Sequence, residues 1–129
     1  MHLLDSNILI YASQPGREFL DTWLVAEGAA VSAISLAEVL GFPGLNAEQE
    51  ANFEAVFARL RIEPVSESVV RHAAVLRRQK RMKLGDAIIA ATALEADADL
   101  ITRNVDDFRH ITGLRTVNPF DLQQEDHAT

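Results

Sequence analysis

The chain has 129 residues, of which 48% are apolar and 24% are charged, as is typical of one soluble globular domain. It contains no cysteine, which excludes disulfides, thiolate metal sites and cysteine nucleophiles. The formal net charge of −7 argues against a protein that passively coats nucleic acid. No apolar run approaches the ~20 residues that cross a bilayer, so we expect a cytoplasmic protein with no membrane anchor or signal peptide. We expect a single domain over residues 1–129, whose last ~6 residues form a flexible tail.

Short apolar segments alternate with longer amphipathic ones along the chain. Strands are predicted at 2–4, 29–33, 62–65, 100–102 and 116–117. In the first half of the chain, helices are predicted to start near residue 7, to cover 17–27 and 35–40, and to run from a cap at Asn46 to about residue 61. A helix capped by Ser66 or Ser68 and a strongly apolar helix from Gly85 follow the third strand. This alternation favours an α/β fold with a parallel sheet covered on both faces.

Acidic and amide side chains follow several of the predicted strands. Asp5 comes directly after the first strand, and Glu38 lies one turn into the helix after the second. Asp86 is at the start of the apolar helix, and Asn104 and Asp107 follow the fourth strand. Ligands of open parallel sheets bind beyond the carboxyl ends of the strands. We therefore expect these side chains to converge on one pocket.

Each acid also has a purely structural interpretation. Asp5 could cap the helix that follows it, and the stretch Ser35 to Glu38 matches a capping box. Asp86 and Asp107 could complement helix dipoles at helix N-termini. Asp86 fits that role least well, because an unpaired charge next to a strongly apolar helix is costly to bury. Taken together, the pattern favours a functional site.

Four stretches resemble the PIN-domain family, in particular the VapC-type toxins of type II toxin–antitoxin systems. The closing stretch VNPF at 117–120 is also similar to the end of that fold. The four stretches are LDSNIL at 4–9, SLAE at 35–38, LGDAIIAATA at 84–93 and TRNVDDF at 102–108. The resemblance implies a three-layer α/β/α fold with a central, mostly parallel sheet of four to five strands.

The resemblance also implies which residues form the site. Asp5, Glu38 and Asp86 would be its metal-holding acids. The family's fourth position falls on Asn104, which is neutral, so Asp107 is the alternative for that place. Carboxylate oxygens are hard ligands that suit Mg²⁺ or Mn²⁺, and one or two such ions could polarise a phosphoryl oxygen and orient water. Supporting roles are expected for Ser6, Asn7, Thr102 and Arg103.

A dense basic segment precedes Asp86. Five of the seven residues from 77 to 83 are basic, in a chain with only 12 Lys and Arg. Such a segment can attract an RNA backbone, although it could equally be a solvated helix face. The candidate RNA-binding residues are Arg77, Arg78, Lys80, Arg81 and Lys83.

The function implied by the resemblance is that of a metal-dependent endoribonuclease. Its substrate would be transfer, ribosomal or messenger RNA, and its products would carry a 5′-phosphate and a 3′-hydroxyl. A cognate VapB-type antitoxin and a homodimer are the partners implied.

Two alternatives come from other classes of protein. One is a phosphatase of the haloacid-dehalogenase type with Asp5 as nucleophile, but that family needs Asp-x-Asp and position 7 is Asn7. The other is a PIN-like binding module that has lost catalysis through Asn104. The four histidines show no metal-ligand spacing.

Overall fold

Five short strands form one parallel sheet in the computed structural model, which describes residues 1–122. The tail predicted for the last ~6 residues lies outside this range. The strands are β1 (His2–Leu4), β2 (Ala29–Ser32), β3 (Arg61–Glu63), β4 (Asp99–Ile101) and β5 (Thr116–Val117). Their order is β3-β2-β1-β4-β5, and every neighbouring pair is parallel. The predicted parallel sheet is confirmed.

Helices connect the strands. They are α1 (Ser6–Ala12), α2 (Asp21–Val25), α3 (Ile34–Leu40), α4 (Ala47–Phe57), α5 (Glu67–Gln79), α6 (Leu84–Glu95) and α7 (Val105–Phe108), with a 3₁₀ turn at Glu18–Leu20 before α2. None of the helices within residues 1–122 is both long and apolar enough to cross a membrane.

Alternate strand residues supply two separate cores. Leu3 and Leu100 pack with α5 and α6 on one face of the sheet. Leu4 and Ile101 pack with α1, α3 and α4 on the other face. Because successive strand residues point to opposite faces, strands this apolar require cover on both sides. The three-layer α/β/α arrangement follows.

Several boundaries differ from those predicted. The helix expected at 17–27 is instead a 3₁₀ turn followed by the short α2. The apolar spacing could not distinguish the two geometries, because residues three apart share a side in both. The helix expected to reach about residue 61 ends at Phe57, since Arg61 already pairs with β2. Asn46 caps α4 through a full capping box, as its position suggests.

The order of the strands creates a switch point beside β1. The chain adds β2 and β3 on one side of β1, and then β4 and β5 on the other. The carboxyl ends of β1 and β4 therefore flank the place where ligands bind in open parallel sheets. Asp5 directly follows β1, and Thr102 directly follows β4.

Candidate active site

Asp5 is anchored between the two central strands. Its backbone N–H donates to the carbonyl of Ile101 (2.9 Å), and its Oδ2 accepts a hydrogen bond from the Thr102 hydroxyl (2.8 Å). Only 4% of Asp5 is exposed. Asp5 stands at the N-cap position of α1, yet its side chain makes no capping hydrogen bond. Helix capping therefore does not account for the position of the Asp5 carboxylate.

Thr102 links Asp5 to the loop that follows β4. Its hydroxyl, which is fully buried, donates to Asp5 and accepts from the backbone N–H of Asn104 (3.0 Å). One hydroxyl thus satisfies a buried carboxylate oxygen and an amide at once. The supporting role predicted for Thr102 has a physical basis in these two bonds.

Glu38 is held by Ser6 of α1, which also contacts Ser35 of α3. The Ser6 hydroxyl donates to Glu38 Oε1 (2.7 Å) and also hydrogen-bonds with the Ser35 hydroxyl (2.7 Å). The capping box proposed for Ser35 and Glu38 is wrong. The N-cap of α3 is Ala33, without a side-chain cap, so Ser35 lies inside the helix and turns its buried hydroxyl toward Ser6.

Gly85 brings α6 against Glu38. A Cβ at position 85 would stand 2.5 Å from Glu38 Oε2, so that any side chain added there would force the Glu38 carboxylate to move. Glycine thus permits the close approach of two helices at this point. The next residue along α6 is Asp86, whose carboxylate is thereby brought to the same region as Glu38.

The carboxylates influence one another. The pKa of Asp5 is raised from 3.8 to about 6, mainly by burial. The negative charges of Asp86 and Glu38 also raise it, while the Thr102 hydrogen bond lowers it. A raised pKa means that the ionised form of Asp5 is destabilised where it stands. Acids from three distant segments therefore form one electrostatic site.

Asp86 shows the same behaviour. Burial raises its pKa above the usual value, repulsion from Asp107 and Glu38 raises it further, and the cation of Lys83 acts in the opposite direction. The negative charge of Asp107 therefore acts on the same group of acids. This repulsion bears on the choice between Asp107 and Asn104 for the fourth position of the site, because the neutral Asn104 cannot exert it.

The acidic side chains do not form a closed ligand set as they stand. Among residues 1–122, no group of three His, Cys, Asp or Glu side chains is placed to hold a metal ion. Metal binding by Asp5, Glu38 and Asp86 therefore stays a prediction. Their chemistry still fits a divalent cation, because desolvated carboxylates that repel one another are stabilised by positive charge.

Two further predicted residues lie at the rim of the site. Asn104 and Arg103 line a groove of about 510 Å³ together with Asp107. Asn7, by contrast, is exposed, and its side chain has no hydrogen bond within the described part of the chain. The supporting role expected for Asn7 has no visible basis here.

The basic segment divides into two parts. Arg77 and Arg78 lie in the last turn of α5, and the Arg77 Nε donates to the carbonyl of Met82 (3.3 Å). The others belong to the connection between α5 and α6 and line a cleft of about 190 Å³ that Asp86 and Asp107 also line. The three basic residues in this cleft are Lys80, Arg81 and Lys83.

Sequence reasoning missed three residues that shape the site. Ser35 was assigned only to a cap, and its contact with Ser6 depends on how α1 and α3 pack. His110 lines the basic cleft, and neither buried ring nitrogen has a hydrogen-bond partner within residues 1–122. Phe120 lies under Arg103. The closing stretch at 117–120 contains Phe120, but nothing local in the sequence indicates its contact with Arg103.

Comparison with known proteins identifies relatives of the whole fold. The PIN domain family matches residues 2–114. Ribonuclease VapC10 of Mycobacterium tuberculosis is 35% identical over 114 residues, which cover 81% of this chain and 84% of that protein. Ribonuclease VapC19 of the same species is 30% identical over 115 residues, which cover 84% of this chain and 92% of that protein.

Solved structures agree. A toxin–antitoxin complex from Klebsiella pneumoniae contains a chain that is similar with a TM-score of 0.77 and 33% identity, covering 92% of this chain and 98% of that one. FitAcB from Neisseria gonorrhoeae gives a TM-score of 0.76 at 28% identity, with 93% and 99% covered. The family match over residues 2–114 and the two relatives that are at least 30% identical show that this chain belongs to the PIN-domain family.

Proposed function

We propose that this protein is a metal-dependent endoribonuclease and the toxin of a toxin–antitoxin pair. The observation that carries the proposal is that the fold brings acids from three distant segments to the switch point of the sheet. Thr102 holds Asp5, Ser6 holds Glu38, and Gly85 of α6 packs against Glu38 next to Asp86. Acids that perturb one another in a cleft are typical of sites that do chemistry. The relatives named ribonucleases support RNA as the substrate.

Ribonucleases of the PIN-domain family are generally metal-dependent. Asp5, Glu38 and Asp86 are the residues that would hold the cation here, and Mg²⁺ or Mn²⁺ suits their oxygen donors. When bound, such an ion polarises a phosphoryl oxygen and favours ionisation of a water molecule.

The residues around the acids keep them available for this task. Thr102 fixes the orientation of Asp5, and Ser6 fixes that of Glu38. Both hydroxyls stabilise the ionised carboxylate by donating to it. We assign the fourth place to Asp107, because its charge acts on Asp86. Asn104 then contributes an amide at the edge of the groove.

RNA would approach over the basic side of the cleft. Lys80, Arg81 and Lys83 line the cleft that contains Asp86, so a phosphate backbone bound there is delivered to the acids. Arg77 acts indirectly, since its hydrogen bond to Met82 holds the connection. Arg78 contributes charge at the end of α5.

The biological setting rests on the relatives. The Klebsiella pneumoniae structure is a toxin–antitoxin complex, and we propose a VapB-type antitoxin and a homodimer for this chain. Transfer, ribosomal and messenger RNA are the candidate targets. The absence of cysteine suits a reducing compartment, and we propose a cytoplasmic location.

The test is cleavage of total RNA by the purified protein after denaturing removal of any bound antitoxin and refolding. Wild type, Asp86→Asn and Asp106→Asn are incubated with Mn²⁺, and new 5′ ends are mapped by a ligation that requires a 5′-phosphate. Asp106 is the matched control, because it lines the same cleft as Asp86 but is exposed and already pairs with Arg109.

We expect discrete new ends from wild type and Asp106→Asn, and none from Asp86→Asn. Cleavage that survives in Asp86→Asn would reject the assigned site. If refolded wild type cleaves no RNA with Mg²⁺ or Mn²⁺ but still binds it, the PIN-like binding module becomes the correct account.

A further inference from the structure

Arg103 is held on an aromatic platform. Its guanidinium carbon lies 4.1 Å from the centroid of the Phe120 ring and 5.1 Å from that of Tyr11. The Phe120 ring is buried and meets Tyr11 and Phe19 edge-to-face at 5.3 and 5.2 Å. Cations within ~6 Å of a ring face are attracted to it. The platform therefore restricts where the guanidinium can lie.

The backbone around Arg103 is fixed as well. Asn118 donates through Nδ2 to the Arg103 carbonyl (3.4 Å) and accepts at Oδ1 from the backbone N–H of Phe120 (2.9 Å). On the other side, Thr102 is tied to Asp5. Arg103 is thus connected to its aromatic platform and to the central acid of the site through short, hydrogen-bonded stretches of chain.

Arg103 differs from several other arginines in having no carboxylate partner. Within residues 1–122 its side chain takes part in no ion pair and no hydrogen bond, and the residue is exposed. Stacking uses the face of a guanidinium and leaves the N–H groups at its edge for a ligand. The arginines that do pair with acids are Arg61, Arg71, Arg109 and Arg115.

The groove beside Arg103 leads to the acidic site. Asn104 and Asp107 line it together with Arg103, and Asp107 also lines the basic cleft that contains Asp86. An RNA strand that passes Asp107 would thus have Arg103 on one side and the basic cleft on the other. A pre-oriented guanidinium at this place suits a phosphate, which accepts two parallel N–H bonds.

We propose that Arg103 binds a phosphodiester of the RNA next to the cleavage position, and that Phe120 is a positioning residue that acts through Arg103. This inference rests on the proposed ribonuclease function and adds a phosphate subsite to it. It commits to the RNA backbone, whose acceptors suit the free edge of the guanidinium; an acidic protein segment is the alternative that the test must exclude.

The test measures binding of a fluorescein-labelled 20-nucleotide single-stranded RNA of mixed sequence, in EDTA, at several salt concentrations. Wild type is compared with Arg103→Gln, Arg103→Lys and Arg71→Gln. Arg71 is the matched control, because it carries the same charge and pairs with Glu67 on the surface of α5. Circular dichroism and the unfolding temperature establish that each variant is folded.

We expect Arg103→Gln to weaken binding roughly tenfold and to reduce the slope of log Kd against log salt by about 0.7, the value for one lost contact to single-stranded nucleic acid. Arg103→Lys should restore the slope but not the full affinity, because lysine cannot form the paired N–H bonds. Arg71→Gln should change neither quantity.

A second probe, poly-glutamate, separates phosphate from carboxylate. Equal losses for RNA and poly-glutamate in Arg103→Gln would overturn the phosphate subsite, as would RNA binding by Arg103→Gln that equals wild type. Phe120→Leu should weaken RNA binding without changing the salt slope, and an unchanged affinity would remove Phe120 from the proposal. If wild type cleaves RNA while Arg103→Gln binds normally, only this inference fails.

Discussion

Thr102 and Asp5 are 97 residues apart in sequence, yet the hydroxyl of one donates to Oδ2 of the other at 2.8 Å. The bond crosses from the end of β4 to the end of β1, the two parallel strands between which the order of the sheet reverses. The acid on which the proposed chemistry depends is therefore held by the fold itself.

Replacing Thr102 should uncouple Asp5 from this support. Thr102→Val removes the donor to Asp5 and the acceptor for the Asn104 N–H. We therefore expect the free energy of unfolding to fall by about 1–3 kcal/mol. Cleavage should fall as well. Thr102→Ser, which keeps the hydroxyl, is the control and should retain most of both properties. Urea unfolding curves and RNA cleavage assays measure the two effects, and a Val variant as stable as wild type would contradict the role.

Asp5 should make the metal-free protein less stable as the pH rises. Its folded pKa of about 6 lies above the ordinary 3.8, so between these values the folded state binds more protons than the unfolded state. Stability is then greatest below about pH 4 for this group and declines up to pH 6 to 7, by about 3 kcal/mol in total. Asp5→Asn should remove this decline.

The measurement is urea unfolding in EDTA at pH 5 and at pH 7.5. Asp5→Asn should be more stable than wild type at pH 7.5, and the two should differ less at pH 5. Mn²⁺ should stabilise wild type at pH 7.5 and have little effect on Asp5→Asn, because only the native acid binds it well. A wild-type protein whose stability rises between these pH values would argue against a strained Asp5.

Gly85→Ala should separate activity from stability. The added Cβ would displace Glu38 Oε2, which is the end of a flexible side chain, so the fold can adjust. Alanine is also the better helix former by roughly 0.5–1 kcal/mol. We expect an unfolding temperature equal to or above wild type, with cleavage reduced roughly tenfold or more.

A double-mutant cycle checks the cause of that loss. In a Glu38→Ala background, Gly85→Ala should bring no further loss of cleavage, because the displaced group is already absent. An additive loss would mean that Gly85 affects the site by another route.

Ser6→Ala should release Glu38. The Ser6 hydroxyl is bonded both to Glu38 Oε1 and to Ser35, so its removal leaves the carboxylate without its positioning partner. We expect cleavage to need a higher Mn²⁺ concentration, with the maximal rate affected less. Ser6→Thr, which keeps the hydroxyl, is the comparison. A Mn²⁺ dependence that is the same in Ser6→Ala and wild type would contradict this role.

The sequence predicted the parts of the fold that depend on local pattern. The strands at 2–4 and 116–117 and the cap at Asn46 are where they were expected. Helix ends were less predictable, because apolar spacing continues past Phe57 although pairing with β2 claims Arg61 for the sheet. The order of the strands depends on crossovers that local pattern does not record.

The candidate site likewise has residues that local sequence indicates and residues whose roles depend on tertiary packing. Asp5 and Asp86 could be chosen from their places next to predicted elements. The role of Ser35 could not, because Ser-x-x-Glu is also a capping box, and only the packing of α1 on α3 decides between the two. The position of Arg103 over Phe120 likewise depends on a contact between the loop after β4 and the segment after β5.

The most direct test of the central claim is calorimetric titration of Mn²⁺ into the metal-free protein at pH 7.5. Wild type is compared with Asp5→Asn, Glu38→Gln, Asp86→Asn and the control Asp106→Asn. If the acids serve one cation site, each of the three variants should bind Mn²⁺ at least about tenfold more weakly, while Asp106→Asn remains close to wild type. Mn²⁺ binding that is indifferent to all three substitutions would contradict the account.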